Sequence, residues 1–248
     1  MTLNSSIEKT FIKAVEKVTQ KKLQDFDTAA RCGENPIKCE DQFTAIIEIT
    51  QNKVDYIKKD FTNTNRENEK EYYQQNTLPT IALVLESPHK SEFDLKSSTY
   101  YGPAMGKTGE NIEKFLVGNI AKYICINDLQ NNGAYFLKNS KIQPGKYRIF
   151  LINSIQYQCS LGVLEKKKHR SQRDEIFIDM FNDSNVKKSF IERLNAHSPK
   201  IIINCCTKGD KKLQEIVQKE IDSNFSKAIK LVGNHPSSAF FCQGFQDA

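Results

Sequence analysis

Four short apolar runs recur in the second part of the chain, and each one stops abruptly at polar residues. Each run is too short for an ordinary helix and apolar enough for a strand that is buried on both faces. Segments with apolar residues at helical spacing separate the runs, and this alternation predicts a parallel sheet covered by helices. The predicted strands are Ile81–Leu85, Arg148–Ile152, Lys200–Ile203 and Ile229–Val232. The predicted helices are Gly109–Tyr123, Asp174–Leu194 and a third that follows a cap at Thr207–Asp210 and contains Leu213, Ile216 and Val217.

Residues 1–78 show a different pattern. Apolar positions from Ile7 to Val18 predict one helix, and those from Phe43 to Ile57 predict a second. The very polar stretch at residues 62–70 fits either a helix extension or a loop. We therefore expect a three-layer α/β protein. Residues 79–248 would form a central, mainly parallel four-stranded sheet flanked by helices, and residues 1–78 an N-terminal helical segment packed on or appended to this core.

Polar residues with catalytic potential follow three of the predicted strands. Residues 86–89 come after the first strand, Asn153 ends the second, and His235 follows the last. Ligands bind beyond the carboxyl ends of the strands in open α/β folds, so we expect Glu86, Asn153 and His235 to converge in a cleft. For each residue taken alone, a strand-end cap is the simpler interpretation.

Composition narrows the class of protein. A chain of 248 residues can bury a full core, and none of its apolar runs is long enough to span a bilayer. The N-terminus lacks a secretory pattern, and the seven cysteines show no paired metal-ligand spacing. We therefore expect a cytoplasmic monomer with reduced thiols, no bound metal and no membrane partner. The net charge of +6 is compatible with a nucleic-acid partner without requiring one.

A basic run, Lys166-Lys167-Lys168-His169-Arg170, is followed by Arg173 and comes just after the second predicted strand. Such a run is usually a solvated loop. A position near the mouth of the expected cleft would instead allow it to contact phosphates.

The segment Gly102–Thr108 approaches the glycine-rich loop that binds nucleotide phosphates. That loop requires four residues between its two glycines, and this chain has three, between Gly102 and Gly106. We therefore expect no nucleotide cofactor.

Five segments, in order, resemble the motifs of the uracil-DNA glycosylase superfamily, closest to members with a first motif of the Gly-Glu-Ala-Pro-Gly type. The chain would be a divergent member, with the resemblance covering residues 80–241. The matching segments are Leu85–His89, Pro103–Gly109, Arg148–Asn153, Lys200–Cys205 and Gly233–Ser238.

Several positions depart from the family pattern. Leu85 and His89 replace the outer glycines of the first motif, and Ala104 stands where the family stacks a phenylalanine on the flipped base. Cys159 lies near one position that binds an iron–sulfur cluster in some relatives. It lacks a convincing set of partner cysteines, so we expect no cofactor.

The resemblance implies roles for individual residues. Glu86 or Ser87 would position the attacking water, and His235 would donate a hydrogen bond to the departing base. Base contacts would come from Asn153, Pro88, His89, Ala104 and Tyr101. DNA contacts would come from Ser237, Ser238, Phe240, Lys166, Lys167, Lys168 and Arg170.

The resemblance thus implies a DNA glycosylase that flips out a pyrimidine-type base. Loss of the aromatic platform at Ala104 favours a modified base, such as a bulky or glycosylated cytosine of viral DNA, and a role in antiviral defence. If Tyr100 or Tyr101 replaces that ring, the substrate would be uracil and the role base-excision repair. Two other classes stay open: a non-catalytic nucleic-acid-binding module of the same fold, and a hydrolase of free nucleosides.

Overall fold

The computed structural model describes residues 3–50, 53–61, 78–127, 135–137, 142–162, 167–209 and 212–248. These residues form five α-helices, three short 3-10 helices and thirteen strands. The helices are α1 (Leu3–Thr19), α2 (Lys107–Ile124), α3 (Lys167–Phe181), α4 (Ser184–Ala196) and α5 (Leu213–Asn224). The 3-10 helices are Leu23–Asp25, Lys90–Glu92 and Phe241–Gln243. The strands are β1 (Arg31–Cys32), β2 (Asn35–Pro36), β3 (Gln42–Ile49), β4 (Val54–Lys59), β5 (Thr80–Leu85), β6 (Phe93–Asp94), β7 (Thr99–Tyr100), β8 (Cys125–Asn127), β9 (Tyr135–Leu137), β10 (Gly145–Asn153), β11 (Pro199–Asn204), β12 (Ile229–Val232) and β13 (Gln246–Asp247).

The main sheet of the described chain contains seven strands, in the order β13-β12-β11-β5-β10-β3-β4. The four middle strands, β12, β11, β5 and β10, run parallel, and they are the four strands that the apolar runs predict. Antiparallel strands extend the sheet at both edges, with β3 and β4 beyond β10 and β13 beyond β12. The expected α/β sheet is therefore confirmed, and the prediction of four strands is wrong.

The predicted helix from Phe43 to Ile57 is instead two strands, β3 and β4. Strand β3 pairs with β10 on one side and β4 on the other, and each of its residues except Glu48 is buried. A short and mainly apolar segment such as Phe43–Ile49 cannot be distinguished from part of a buried helix by its periodicity. Residues 1–78 therefore contribute strands to the sheet that residues 79–248 complete, in addition to the α1 helix.

The predicted helix Asp174–Leu194 is two helices. Helix α3 begins at Lys167 and ends at Phe181, and Asp183 caps α4 by accepting a hydrogen bond from the Asn185 N–H at 2.7 Å. The other two predicted helices correspond to α2 and α5. The expected cap at Thr207–Asp210 lies partly outside the described residues, which omit Asp210. The residue directly before α5, Lys212, has a left-handed conformation and makes no side-chain cap.

Helices cover both faces of the sheet and give three layers. Successive residues of β5 point to opposite faces, so Ile81, Leu83 and Leu85 pack with α2, whereas Ala82 and Val84 pack with the other helices. Helices α1, α3, α4 and α5 share that second face. No described helix is long and apolar enough to cross a membrane.

The strand order fixes where a cleft can open. The chain passes from β5 to β10 on one side, and then crosses to β11 on the other side of β5. The connections therefore leave β5 and β11 in opposite directions, and this reversal opens a crevice at their carboxyl ends. Helices α2 and α3, on opposite faces of the sheet, supply its walls.

Candidate functional site

A cleft of about 470 Å³ lies at this reversal point. The loop after β5 forms its floor, and the loops after β11 and β12 close one side. The start of α2 and the first turns of α3 provide the walls. The lining residues used below are Glu86, Ser87, Pro88, His89, Met105, Lys107, His169, Arg170, Arg173, Thr207, His235 and Ser237.

Glu86 is a buried acid at the end of β5, with a side chain only 5% exposed. A second buried acid, Glu92, also lines the cleft. Its Oε1 lies 3.4 Å from Arg173 Nε and accepts a hydrogen bond from Ser87 Oγ at 3.4 Å. The Thr207 hydroxyl donates a further hydrogen bond to the same carboxyl. Burial raises the pKa of Glu86, and the positive charge of Arg173 opposes that effect.

Arg173 lies between two buried carboxylates. Its Nε and Nη2 donate hydrogen bonds to Asp174 Oδ1 at 2.9 and 2.6 Å, and Asp174 is 1% exposed. With Glu86 and Asp174 both ionised, two negative charges share one guanidinium. The floor of the cleft then carries a net negative charge, which favours the binding of a cation.

Two thiols next to Glu86, those of Cys159 and Cys206, are chemically inert. Burial, together with the charge of Glu86, raises the pKa of both thiols, so they stay protonated at neutral pH. The thiolate is the nucleophilic form of cysteine, and neither residue fits that role.

His235 supplies a neutral hydrogen-bond donor. Its Nδ1 accepts a hydrogen bond from the Ser237 N–H at 3.2 Å and lies 2.8 Å from Ser237 Oγ. The ring therefore carries its proton on Nε2 when it is neutral. Burial, together with the charges of Arg173 and His89, lowers the pKa of His235 to about 4, so the ring is neutral at neutral pH.

Helix α2 holds the loop that carries His235. Asn111 Nδ2 donates to the Pro236 carbonyl at 2.6 Å, Asn119 Nδ2 donates to the Phe241 carbonyl at 2.8 Å, and Lys122 Nζ donates to the Cys242 carbonyl at 2.8 Å. Because the start of α2 also forms a wall of the cleft, this helix fixes the position of His235 relative to that wall.

The structure brings many of the predicted site residues into one cleft. Glu86 and His235 enter it from the ends of β5 and β12, as the strand pattern predicts. The other predicted residues that line it are Ser87, Pro88, His89, Ser237 and Arg170.

Asn153 is not among the described residues that line the cleft. Asn153 is the last residue of β10. Strand β10 and strand β11 lie on opposite sides of β5, so Asn153 lies away from the reversal point between β5 and β11. Its side chain is buried, with Nδ2 at 3.9 Å from Cys39 Sγ and with Oδ1 lacking a hydrogen-bond partner within the described chain. The role of Asn153 in reading the base stays a prediction.

Two other predicted base contacts lie outside the lining. Ala104 is fully buried in the core beside α2, and the neighbouring Met105 lines the cleft instead. The space expected from an alanine at position 104 is therefore filled by packing. Tyr101 is half-buried, and its carbonyl accepts a hydrogen bond from Gln42 Nε2 at 3.3 Å.

The other residues predicted to contact DNA are Ser238, Phe240, Lys166, Lys167 and Lys168, and none of the described ones lines the cleft. Ser238 Oγ accepts a hydrogen bond from the Phe240 N–H at 3.2 Å, and the Phe240 side chain is 59% exposed. Lys167 and Lys168 are the first residues of α3. Lys166 lies outside the described residues.

Arg173, His169 and Thr207 also line the cleft. The sequence predicts phosphate contacts for the basic run that contains His169 and a helix cap for Thr207, and it predicts no contact between Arg173 and Glu86. The predicted helix begins at Asp174, so the prediction leaves Arg173 and His169 outside any helix and gives them no common face. In a helix that begins at Lys167, positions 169 and 173 are one turn apart and share a face. The sequence offers one signal for Arg173 and His169: the basic run continues directly into the apolar pattern of a helix.

The chain matches no protein-family model, no curated protein and no solved structure. Among the residues that the structure describes, no group of three or more histidine, cysteine or acidic side chains is arranged to hold a metal ion.

The protonation state of His235 can be tested directly by NMR. Because its pKa is lowered to about 4 from an ordinary value of 6.5, the ring should stay neutral as the pH falls to about 5 and gain its second proton only near 4. A ¹⁵N-labelled imidazole titration, with the signal assigned by a His235→Asn variant, measures this midpoint and the tautomer. A midpoint near 6.5, or a neutral ring protonated on Nδ1, would contradict the geometry.

Proposed function

We propose that this protein is a DNA glycosylase that flips a pyrimidine-type base out of DNA and hydrolyses its N-glycosidic bond. The observation that carries the proposal is the presence in one cleft of a buried acid, Glu86, and a neutral histidine donor, His235. The products would be the free base and an abasic site.

The reaction needs two kinds of charge stabilisation. As the bond between C1′ and the base nitrogen breaks, the electron pair leaves with the base, and the sugar becomes cationic. Water then adds to C1′ and loses a proton, and the base is released after it gains one. An enzyme for this reaction needs negative charge near the sugar and a hydrogen-bond donor near the departing base.

Glu86 and His235 match these two requirements. The net negative charge of Glu86, Arg173 and Asp174 would stabilise the sugar cation, and the Glu86 carboxylate would orient the water. The Nε2–H of His235 would donate to the base oxygen on which negative charge accumulates. Ser87, which donates to Glu86, would help to hold the carboxylate.

Basic residues at the cleft would contact the DNA backbone. Arg170 and Lys107 are exposed on the two walls, at the starts of α3 and α2. Ser237 is exposed on the His235 loop, where its hydroxyl could also accept or donate toward a phosphate.

The size of the cleft supports a modified base as the substrate. Its volume of about 470 Å³ lies in the range of roughly 300–1,000 Å³ that holds whole drug-sized ligands. A pyrimidine ring alone would leave much of this space unfilled. We therefore favour a bulky or glycosylated cytosine of viral DNA, and a role in defence, over uracil.

The buried acid favours catalysis over a non-catalytic DNA-binding module. A carboxylate in a cleft that receives DNA repels the phosphates, and its burial costs free energy. A module that only binds DNA gains nothing from Glu86, whereas an enzyme that forms a sugar cation uses its charge.

Replacing either group should slow excision much more than it weakens binding. In His235→Ala we expect the single-turnover rate to fall by roughly 10²–10³-fold, because a preorganised donor to the transition state is lost. Glu86→Gln should lose at least as much, and should bind DNA as tightly as the parent or more tightly. The measurement uses duplexes that carry uracil and duplexes that carry glucosylated 5-hydroxymethylcytosine.

The matched control is Lys188→Gln, an exposed position on α4 away from the cleft. It should excise at the parent rate. Parent rates in both Glu86→Gln and His235→Ala would show that the site is elsewhere.

Arg170→Gln tests the contact with the phosphate backbone. Loss of one phosphate contact should weaken binding to all DNA sequences alike and lower the slope of log K against log salt by about 1. Fluorescence anisotropy from low to moderate salt measures the slope, with Lys188→Gln as the control. An unchanged slope would place Arg170 outside the DNA interface.

A further inference from the structure

The proposed role of Glu86 requires a charged carboxylate in a place that disfavours charge. Glu86 is 4% exposed at the end of β5, and burial by itself favours the protonated form. A protonated carboxyl would neither stabilise a sugar cation nor accept a proton from water. Some group at the cleft must therefore oppose the effect of burial on the pKa of Glu86.

The groups that face Glu86 come from several elements packed around it. They are Ser87 on its own loop, Cys159 after β10, Arg173 and Asp174 on α3, and Cys206 and Thr207 after β11. In this set the two thiols are neutral and Asp174 repels the charge of Glu86. Arg173 is the cation.

The same guanidinium also acts on His235. Arg173 and His89 are the charged groups that disfavour the protonated ring from outside its own loop, and on that loop Ser237 donates its N–H to Nδ1. One positive charge therefore favours the two forms that the reaction needs, an ionised acid and a neutral histidine.

We propose that Arg173 is a positioning residue that fixes the Glu86 carboxylate at the floor of the cleft, favours its ionised form, and adds to the effect of burial in favouring a neutral His235. This inference rests on the proposed function for its catalytic consequence, although the two protonation states can be measured without any substrate.

The contacts of Arg173 fit this role. Its Nε lies 3.4 Å from Glu86 Oε1 and 2.9 Å from Asp174 Oδ1, and its Nη2 lies 2.6 Å from the same Asp174 oxygen. Asp174 thus anchors the guanidinium of Arg173, and the Nε edge of that guanidinium faces Glu86. The side chain of Arg173 is 15% exposed, so its charge is poorly screened by water.

The loop after β11 closes over this arrangement. Gly209 has a left-handed φ of 57°, and a Cβ at this position would lie 2.6 Å from Asp174 Oδ2. The backbone can therefore approach the anchoring carboxylate only because residue 209 has no side chain. Asp174 therefore lies directly against this loop while it accepts hydrogen bonds from Arg173.

The test is the titration of Glu86 and His235 in Arg173→Gln. Carboxyl ¹³C NMR on protein labelled at glutamate, with Glu86 assigned by Glu86→Gln, gives the first midpoint, and imidazole ¹⁵N NMR gives the second. An arginine beside a carboxyl lowers the carboxyl pKa by about 1–3 pH units, so the Glu86 midpoint should rise by that amount when the charge is removed. The His235 midpoint should also rise.

Arg173→Lys keeps a charge but not the planar fork that reaches both carboxylates. We expect a smaller but measurable rise in the Glu86 midpoint in this variant. Lys188→Gln, on the exposed face of α4, should leave both midpoints at the parent values. Circular dichroism establishes that each variant is folded.

A purely structural role for Arg173 would lower the melting temperature and leave both midpoints unchanged, and that result would overturn the proposal. If Arg173→Gln does not fold, an unchanged Glu86 midpoint in Arg173→Lys would overturn it equally.

Catalysis provides the second readout. The acid needs to be ionised, so the excision rate rises with pH through the Glu86 midpoint, and in Arg173→Gln this rise should move to higher pH by the amount that NMR measures. Absence of base release by the parent protein would contradict the proposed function, and the NMR midpoints would still decide the role of Arg173.

Discussion

The parallel pairing of β5 with both β10 and β11 is the constraint on which the site depends. Leu83 of β5 is aligned with Leu151 on one side and Ile203 on the other, so the three strands end at the same edge of the sheet. Because the chain reaches β10 before it crosses to β11, the helices that follow β5 and β10 leave to opposite faces. The crevice between them is a consequence of strand order, and Glu86 lies in it because it is the first residue after β5.

Placing an acid at such a position has an energetic cost, and the surrounding residues offset it. The buried carboxyls of Glu86 and Asp174 would each be unfavourable alone, and Arg173 compensates both through one guanidinium. Removing Arg173 would leave two buried carboxyls without the cation that both of them contact. The arrangement therefore links the stability of this edge of the sheet to the protonation state of the cleft.

The sequence predicts the centre of the fold much better than its edges. The four parallel strands are short, continuous apolar runs that stop at polar residues, a pattern typical of strands buried on both faces. The edges carry weaker signals, since Gln42, Thr44 and Glu48 interrupt the apolar residues of β3, and β13 pairs through two polar residues. The periodicity of apolar residues does not predict the order of the strands in the sheet.

The same limit explains which site residues could be predicted. Glu86 and His235 follow predicted strand ends, and both line the cleft. Asn153 also follows a strand end, but its strand lies on the wrong side of β5 for the cleft, which only the strand order reveals. Arg173 required the start of α3, because a shift of the helix boundary by two turns hides which residues share a face.

The most direct test of the account is the release of free base from DNA by the purified protein. Duplexes that contain uracil, cytosine or glucosylated 5-hydroxymethylcytosine would be incubated with the parent and with Glu86→Gln, and free bases and abasic sites counted by mass spectrometry. The account predicts that the parent releases the bulky modified base, with one abasic site for each base freed, and that Glu86→Gln releases none at the same time. Duplexes that are bound by the parent but stay intact, with no base freed from any of them, would contradict it.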